Sequence, residues 1–375
     1  MFVGFGLQKS FNVQYVQSRA RMDMSDTGDS LDLILDGILR DYVSDGVQLA
    51  DSSLDEEIRG LIRSKLANVL LERLKSGVLG KLEASRVVEG EFEAAVLRTW
   101  RKPFDLLGLL FYVCLEVAGE FGLEGEGGSS SGRSCVELAL VKQQANACLV
   151  FNEIIHLLRS GFPSGAQSHW RTLHGIACVS YFISKHGEDM AKRFLDYEIV
   201  ESYFQAQAIY EHQQKMECEA LSENDFKTLK KDFNKMRKRY GSDFVKKANY
   251  PYGWVPRTVL KMRSLREIEK SVKLDTLRPY YDMARYNVYG GAKGLMFKPG
   301  FMKDKGSSVV VPVGPSNYGL ADPGKSVAIS LGQVTACLLL SVSSIKNMVI
   351  VEALRGLVDE ICDAFGEIQA EFGKA

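Results

Sequence analysis

Apolar residues recur every three to four positions along most of this 375-residue chain, and almost nowhere do they alternate. This regularity constrains the fold more than any motif does. A period near 3.6 buries one stripe of a helix, whereas a half-buried strand needs a period of 2. Stripes run through Leu31–Tyr42, Leu54–Leu74, Val96–Val117, Val136–Leu158, Phe162–Tyr181 and Glu188 to about Ala220. They resume in Ser222–Tyr240, Ser264–Val272, Asp275–Tyr289, Ser326–Ser343 and Asn347–Phe372. The expected class is therefore all-α, a multi-helix bundle. One interruption is expected: the glycines, prolines and S-S-V-V-V-P-V run of 290–315 read as a small β-hairpin or ordered loop near 295–320.

Punctuation suggests the organisation. Residues 1–29 hold no period and read as a loose tail. Residues 30–85, broken by Gly77 and Gly80, read as an appended helical hairpin, with the main helical domain over 90–375. Pro163 stands where a first-turn proline is tolerated, and Gly187 closes the helix that it opens. The seven cysteines are scattered with no C-x-x-C pair, so no disulfide framework is expected and a cytoplasmic location is the natural one. Ser326–Ile345 is uncharged for twenty residues, long enough for a bilayer. Its Ser, Thr, Gln and Gly content reads instead as a buried core helix, so no membrane partner is expected.

Net charge is zero but unevenly laid out. Positions 23–57 carry eleven acids and one arginine, and positions 227–270 carry fourteen Lys/Arg and four acids. The basic stretch interleaves Lys230, Lys231, Arg237, Lys238 and Arg239 with aromatics including Trp254. Cations neutralise phosphates and aromatics stack on bases, so RNA or another polyanion is a candidate partner on 227–270. A solvated helix face is the plainer explanation. The two opposite segments also suggest docking within one chain or a homodimer through 23–57 and 227–270.

Two motifs fail on their surroundings. G-L-A-D-P-G-K-S at 319–326 has P-loop spacing, but Pro323 removes an amide that the phosphate cradle needs. Glu153 and His156 have the E-x-x-H spacing of di-metal bundles, and no second copy exists. No metal or cofactor is expected. Arg171 and His174, one helical turn apart, suit either anion or acid–base chemistry or a buried polar network tying helices together.

The R-T-L-H of Arg171–His174, with the run S-Y-F-I-S-K-H-G-E-D-M-A-K-R-F-L-D-Y-E after it, resembles a bacterial family of unknown function. In that family an R-T-L-H-E helix precedes a long helix bearing A-x-R-[YF] and a late Tyr-rich segment with Asn and His. Here that segment is Tyr280–Gly291, and the resemblance covers about Phe92–Ile345. Gly175 replaces the family's Glu, and Asn287 is followed by Tyr289 rather than His. The resemblance implies a helical protein with no established activity, set in phage defence or a stress response. It groups Arg171, His174, Tyr281, Asn287 and Tyr289 into one expected polar cluster. Two alternatives stand beside it: a metal-independent ribonuclease acting through Arg171 and His174, and a non-catalytic helical interaction module.

Overall fold

The computed structural model describes residues 31–44, 56–123, 133–216, 222–288, 291–296 and 314–374. Among these, every regular element is a helix. In chain order they are α1 (Leu31–Ser44), α2 (Glu56–Thr99), α3 (Arg101–Leu123), α4 (Cys135–Arg159), α5 (Pro163–His186) and α6 (Glu188–Met216). Then come α7 (Glu223–Tyr240), α8 (Leu265–Ser271), α9 (Arg278–Ala284), α10 (Ala292–Met296), α11 (Ala321–Leu340) and α12 (Ile345–Lys374). Short 3-10 turns occupy Lys247–Asn249, Asp275–Leu277 and Arg285–Asn287.

The boundaries follow local chemistry. The Ser134 side chain accepts from the Glu137 amide to cap α4, and Ser222 does the same for Asp225 at α7. Pro163 sits in the first turn of α5, and Gly187, at φ 75°, ends it. Gly77 and Gly80 do not interrupt α2, which continues unbroken to Thr99. No neighbouring group lies within 4 Å of where a Cβ would stand at either glycine.

Helix α11 is the hub: α3, α4, α5 and α12 all pack against it. Trp100, Phe151, Trp170, Leu331, Leu338 and Phe365 are among the buried residues of this main core. Helix α11 contains residues 326–340 of the uncharged run noted in the sequence, and among the described helices it alone is long and apolar enough to cross a membrane. Its apolar window is 72% buried against the other helices, as a core helix requires. The P-loop spacing falls inside its first turns, where the Gly324 amide donates to Leu320 O (3.0 Å) and Ser326 is buried. A phosphate cradle needs those amides free, so the helix itself removes that reading.

A second core lies around Phe182, Tyr197, Phe244, Trp254 and Ile268, where α5, α6 and the 241–263 segment meet. Of the β-hairpin expected near 295–320, positions 297–313 lie outside the described residues, and 314–320 are irregular. That irregular stretch is anchored: Trp100 Nε1 donates to Asn317 Oδ1 (2.8 Å), and the Ser316 amide donates to Gly161 O (2.7 Å).

Candidate functional site

Gln167, Arg171, His174 and Cys178 share one face of α5, because steps of four, three and four residues return to the same side of a helix. Opposite them lie α8, α9 and the Arg285–Asn287 turn, all packed on α5. His174 is 0% exposed, and its Nε2 lies 2.8 Å from Glu269 Oε1 of α8, itself 0% exposed. Glu269 also accepts from Arg278 through Oε2. A buried carboxylate needs such a cation beside it, because burial removes its hydration and leaves the cost uncompensated unless a partner charge offsets it. As the carboxylate can only accept, His174 Nε2 carries the proton, and Glu269 fixes the tautomer. His174 Nδ1 is buried without a hydrogen-bond partner. Cys178 Sγ lies 3.5 Å from Nε2, and burial pushes its thiol far above the usual range, so it stays protonated.

Tyr281 of α9 roofs this pair. The Arg171 and Arg278 guanidinium carbons lie 4.5 and 4.7 Å from its ring centroid, within cation–π reach. Arg171 Nη2 donates to the Tyr281 hydroxyl at 3.3 Å. The rings of Trp170 and His174 stand 6.5 and 5.8 Å from the Tyr281 ring. Trp170 Nε1 donates to Ser330 Oγ of α11 (2.9 Å), which ties the cluster to the main core.

Arg171, His174 and Tyr281 therefore meet, as the sequence led us to expect. Asn287 sits half-buried on the 3-10 turn that packs against α5, and Tyr289 lies outside the described residues. Glu269 and Arg278 were not expected. In the run S-L-R-E-I-E-K-S, Glu269 reads as one more charge on a surface helix, and nothing local marks it as buried. Gly175, where the resemblance expects Glu, has Leu265 Cδ2 3.9 Å from the place of a Cβ. The carboxylate of the cluster comes from α8 instead.

The basic stretch forms a different arrangement. Helices α6 and α7 pair through aromatics, with ring centroids 4.2 Å apart for Tyr203–Phe233 and 5.0 Å for Tyr210–Phe226. Phe226, Leu229, Phe233, Met236 and Tyr240 make the inward stripe of α7. Lys230, Lys231, Arg237 and Lys238 are exposed. Asp225 and Asp232 fall on the opposite side of the same helix. Among the described residues, Lys227 pairs with Glu223 and Lys235 with Asp232, while the four exposed cations have no acidic partner.

Two members of the expected nucleic-acid set are engaged by the protein itself. Trp254 is 2% exposed, edge-on to Phe182 and Phe194, so its faces are not open to a base. Arg239 is held by Asp196 (3.3 Å), whose carboxylate also accepts from the Tyr240 hydroxyl (2.6 Å).

Among the described residues no three His, Cys, Asp or Glu side chains converge as a metal site. Glu153 bonds His169 (2.5 Å), an exposed pair between α4 and α5. No curated protein and no solved structure matches the chain. The stretch from α4 to α10 contains both the buried cluster and the basic helix, and it is here that a family emerges: residues 138–298 match the model of DUF5677, a family of unknown function.

Proposed function

We propose that this protein binds single-stranded RNA or a similar polyanion through the outer face of α7, without catalysing its cleavage. The observation that carries this reading is the exposure of Lys230, Lys231, Arg237 and Lys238 on the side of α7 away from Asp225 and Asp232, where the one acid of that side, Glu223, is already paired with Lys227. A face that serves only solubility gains from interspersed signs, whereas one that holds phosphates is better without unpaired carboxylates nearby. From Lys230 to Lys238 the face extends about 12 Å along the axis. Trp254 has no part in it, so the bound strand is held by its backbone rather than by stacking on that ring.

The ribonuclease alternative has less support. An acid–base histidine must reach the scissile phosphate, and His174 is fully covered with its Nε2 committed to Glu269. A phage-defence or stress setting, implied by the resemblance, is a context in which such a binder would act. Docking of the acidic 23–57 segment on this face, within the chain or in a homodimer, rests on charge balance alone. Fluorescence anisotropy with a labelled single-stranded RNA tests the reading. Binding lost on replacing the four cations with Gln, with the RNA recovered intact, is the expected result. RNA cleaved by the wild type but not by Arg171→Ala refutes it.

A further inference from the structure

The burial of Trp254 does not exhaust the aromatic groups of the basic stretch. Tyr250 is 55% exposed, and among the described residues its ring meets one other, Phe204 of α6, edge-to-face at 6.4 Å. Phe204 in turn lies 5.9 Å from Phe233, on the inward stripe of α7. Residues three and four positions apart are neighbours on a helix surface, so Phe233 is flanked on α7 by Lys230 and Arg237. Tyr250 therefore stands two ring contacts from the turn of α7 that carries these two exposed cations.

The segment that presents the tyrosine is held in place. The Asp243 carboxylate accepts from Arg263 Nη2 (2.6 Å) and Arg257 Nε (3.2 Å), and Asn249 Nδ2 donates to the Asp243 carbonyl (2.8 Å). A 3-10 turn spans Lys247–Asn249, and the Tyr250 amide donates to Lys247 O (3.1 Å). A ring on fixed backbone loses little freedom when a ligand covers it. Lys247 Nζ lies 6.0 Å from the Phe204 ring centroid, so a cation adjoins the aromatic pair. Of the acids nearby, Asp243 is committed to its two arginines. Glu201, one turn before Phe204, is half-buried, and burial raises its carboxyl. An exposed aromatic ring beside a row of cations suits a ligand with both a π-face and a charged backbone, because every base has such a face.

We infer that Tyr250 is the stacking platform of the α7 site: a base of single-stranded RNA lies on its ring while the backbone follows Lys230 and Arg237. This rests on the reading of α7 as a polyanion-binding face, and it narrows the ligand to a polyanion that carries bases.

Anisotropy titrations of the full chain with a labelled single-stranded RNA, competed by inorganic polyphosphate, test the inference. Tyr250→Leu should weaken RNA binding about tenfold and leave the slope of log K against log salt unchanged, because no phosphate contact is removed. Tyr250→Phe should bind as the wild type does, and polyphosphate should compete equally well in all of these proteins. A second readout does not depend on a loss. The native tryptophans, Trp100, Trp170 and Trp254, are all 2% exposed or less, so the indole of Tyr250→Trp is the one that meets solvent. Its emission should respond to RNA and not to polyphosphate. Wild-type RNA affinity in Tyr250→Leu overturns the inference, and so does an emission that ignores RNA. An equal loss of polyphosphate binding in Tyr250→Leu also overturns it, since the substitution then disturbs the cationic face and not a base contact. RNA binding that is lost when Lys230, Lys231, Arg237 and Lys238 are all Gln, yet intact in Tyr250→Leu, removes this inference alone. RNA binding absent from the wild type, or undiminished in that quadruple variant, removes the reading of α7 as well.

Discussion

Salt dependence offers a sharp test of the basic face of α7. Each phosphate neutralised on a single strand contributes about −0.7 to the slope of log K against log salt. Four contacts, from Lys230, Lys231, Arg237 and Lys238, give a slope of about −2.8. Affinity for a single-stranded RNA should then fall about 50-fold between 50 and 200 mM salt. Replacing Lys230 and Lys231 with Gln leaves two contacts, a slope of about −1.4 and a fall of only about 7-fold. Exposed substitutions of this kind change stability by no more than about 0.5 kcal/mol, so weaker binding would not reflect unfolding. Anisotropy titrations at four salt concentrations on wild type, double and quadruple variants supply the slopes. A quadruple variant that retains the wild-type slope refutes the argument, because the phosphates must then be held elsewhere.

Arg278→Met removes the cation from a fully buried carboxylate, and breaking such a pair costs about 3–5 kcal/mol, readable by urea denaturation. A loss below about 1 kcal/mol would mean that Glu269 is not buried as described. Gly161→Ala forces a Cβ into a site at φ 76° and 2.6 Å from Phe92 Cε1, and should cost about 1–3 kcal/mol in the same assay. Burial raises the Cys114 and Cys337 thiols to about 12 and Cys148 to about 11, so these three should resist a thiol reagent at pH 8 in the native protein. They should react only once urea opens the core, and rapid native labelling of any of them would contradict that burial.

Much of the architecture was legible because it rests on local chemistry. Pro163, Gly187, Ser222 and the apolar stripes mark α5, α6 and α7 within a few residues, since caps and periods are properties of a short window. What escaped depends on distance. The continuity of α2 through Gly77 and Gly80 was hidden because a glycine's propensity cost of about 1 kcal/mol reads as a break, yet a long helix absorbs it. Glu269 stands 95 positions from His174, and nothing around it distinguishes a buried carboxylate from a solvated one. Trp254 looked like a stacking platform because aromatic rings amid lysines do, but its ring is consumed by Phe182 and Phe194. The face of α7 was readable as basic; only the fold separates its engaged arginine from its unengaged lysines.

The position of α11 has a consequence for how the molecule is made. Three of the helices it joins, α3, α4 and α5, are complete more than a hundred residues before it leaves the ribosome, and until then they have no common partner for the sides that it covers. Assembly of this core is therefore deferred until α11 has emerged, and a nascent chain stalled short of Ala321 would present raw, adhesive surface to chaperones. The stretch that matches the family ends before this keystone. Excised alone, 138–298 would lack Ser330 as the hydroxyl that receives Trp170, and with it the lid over its own interior.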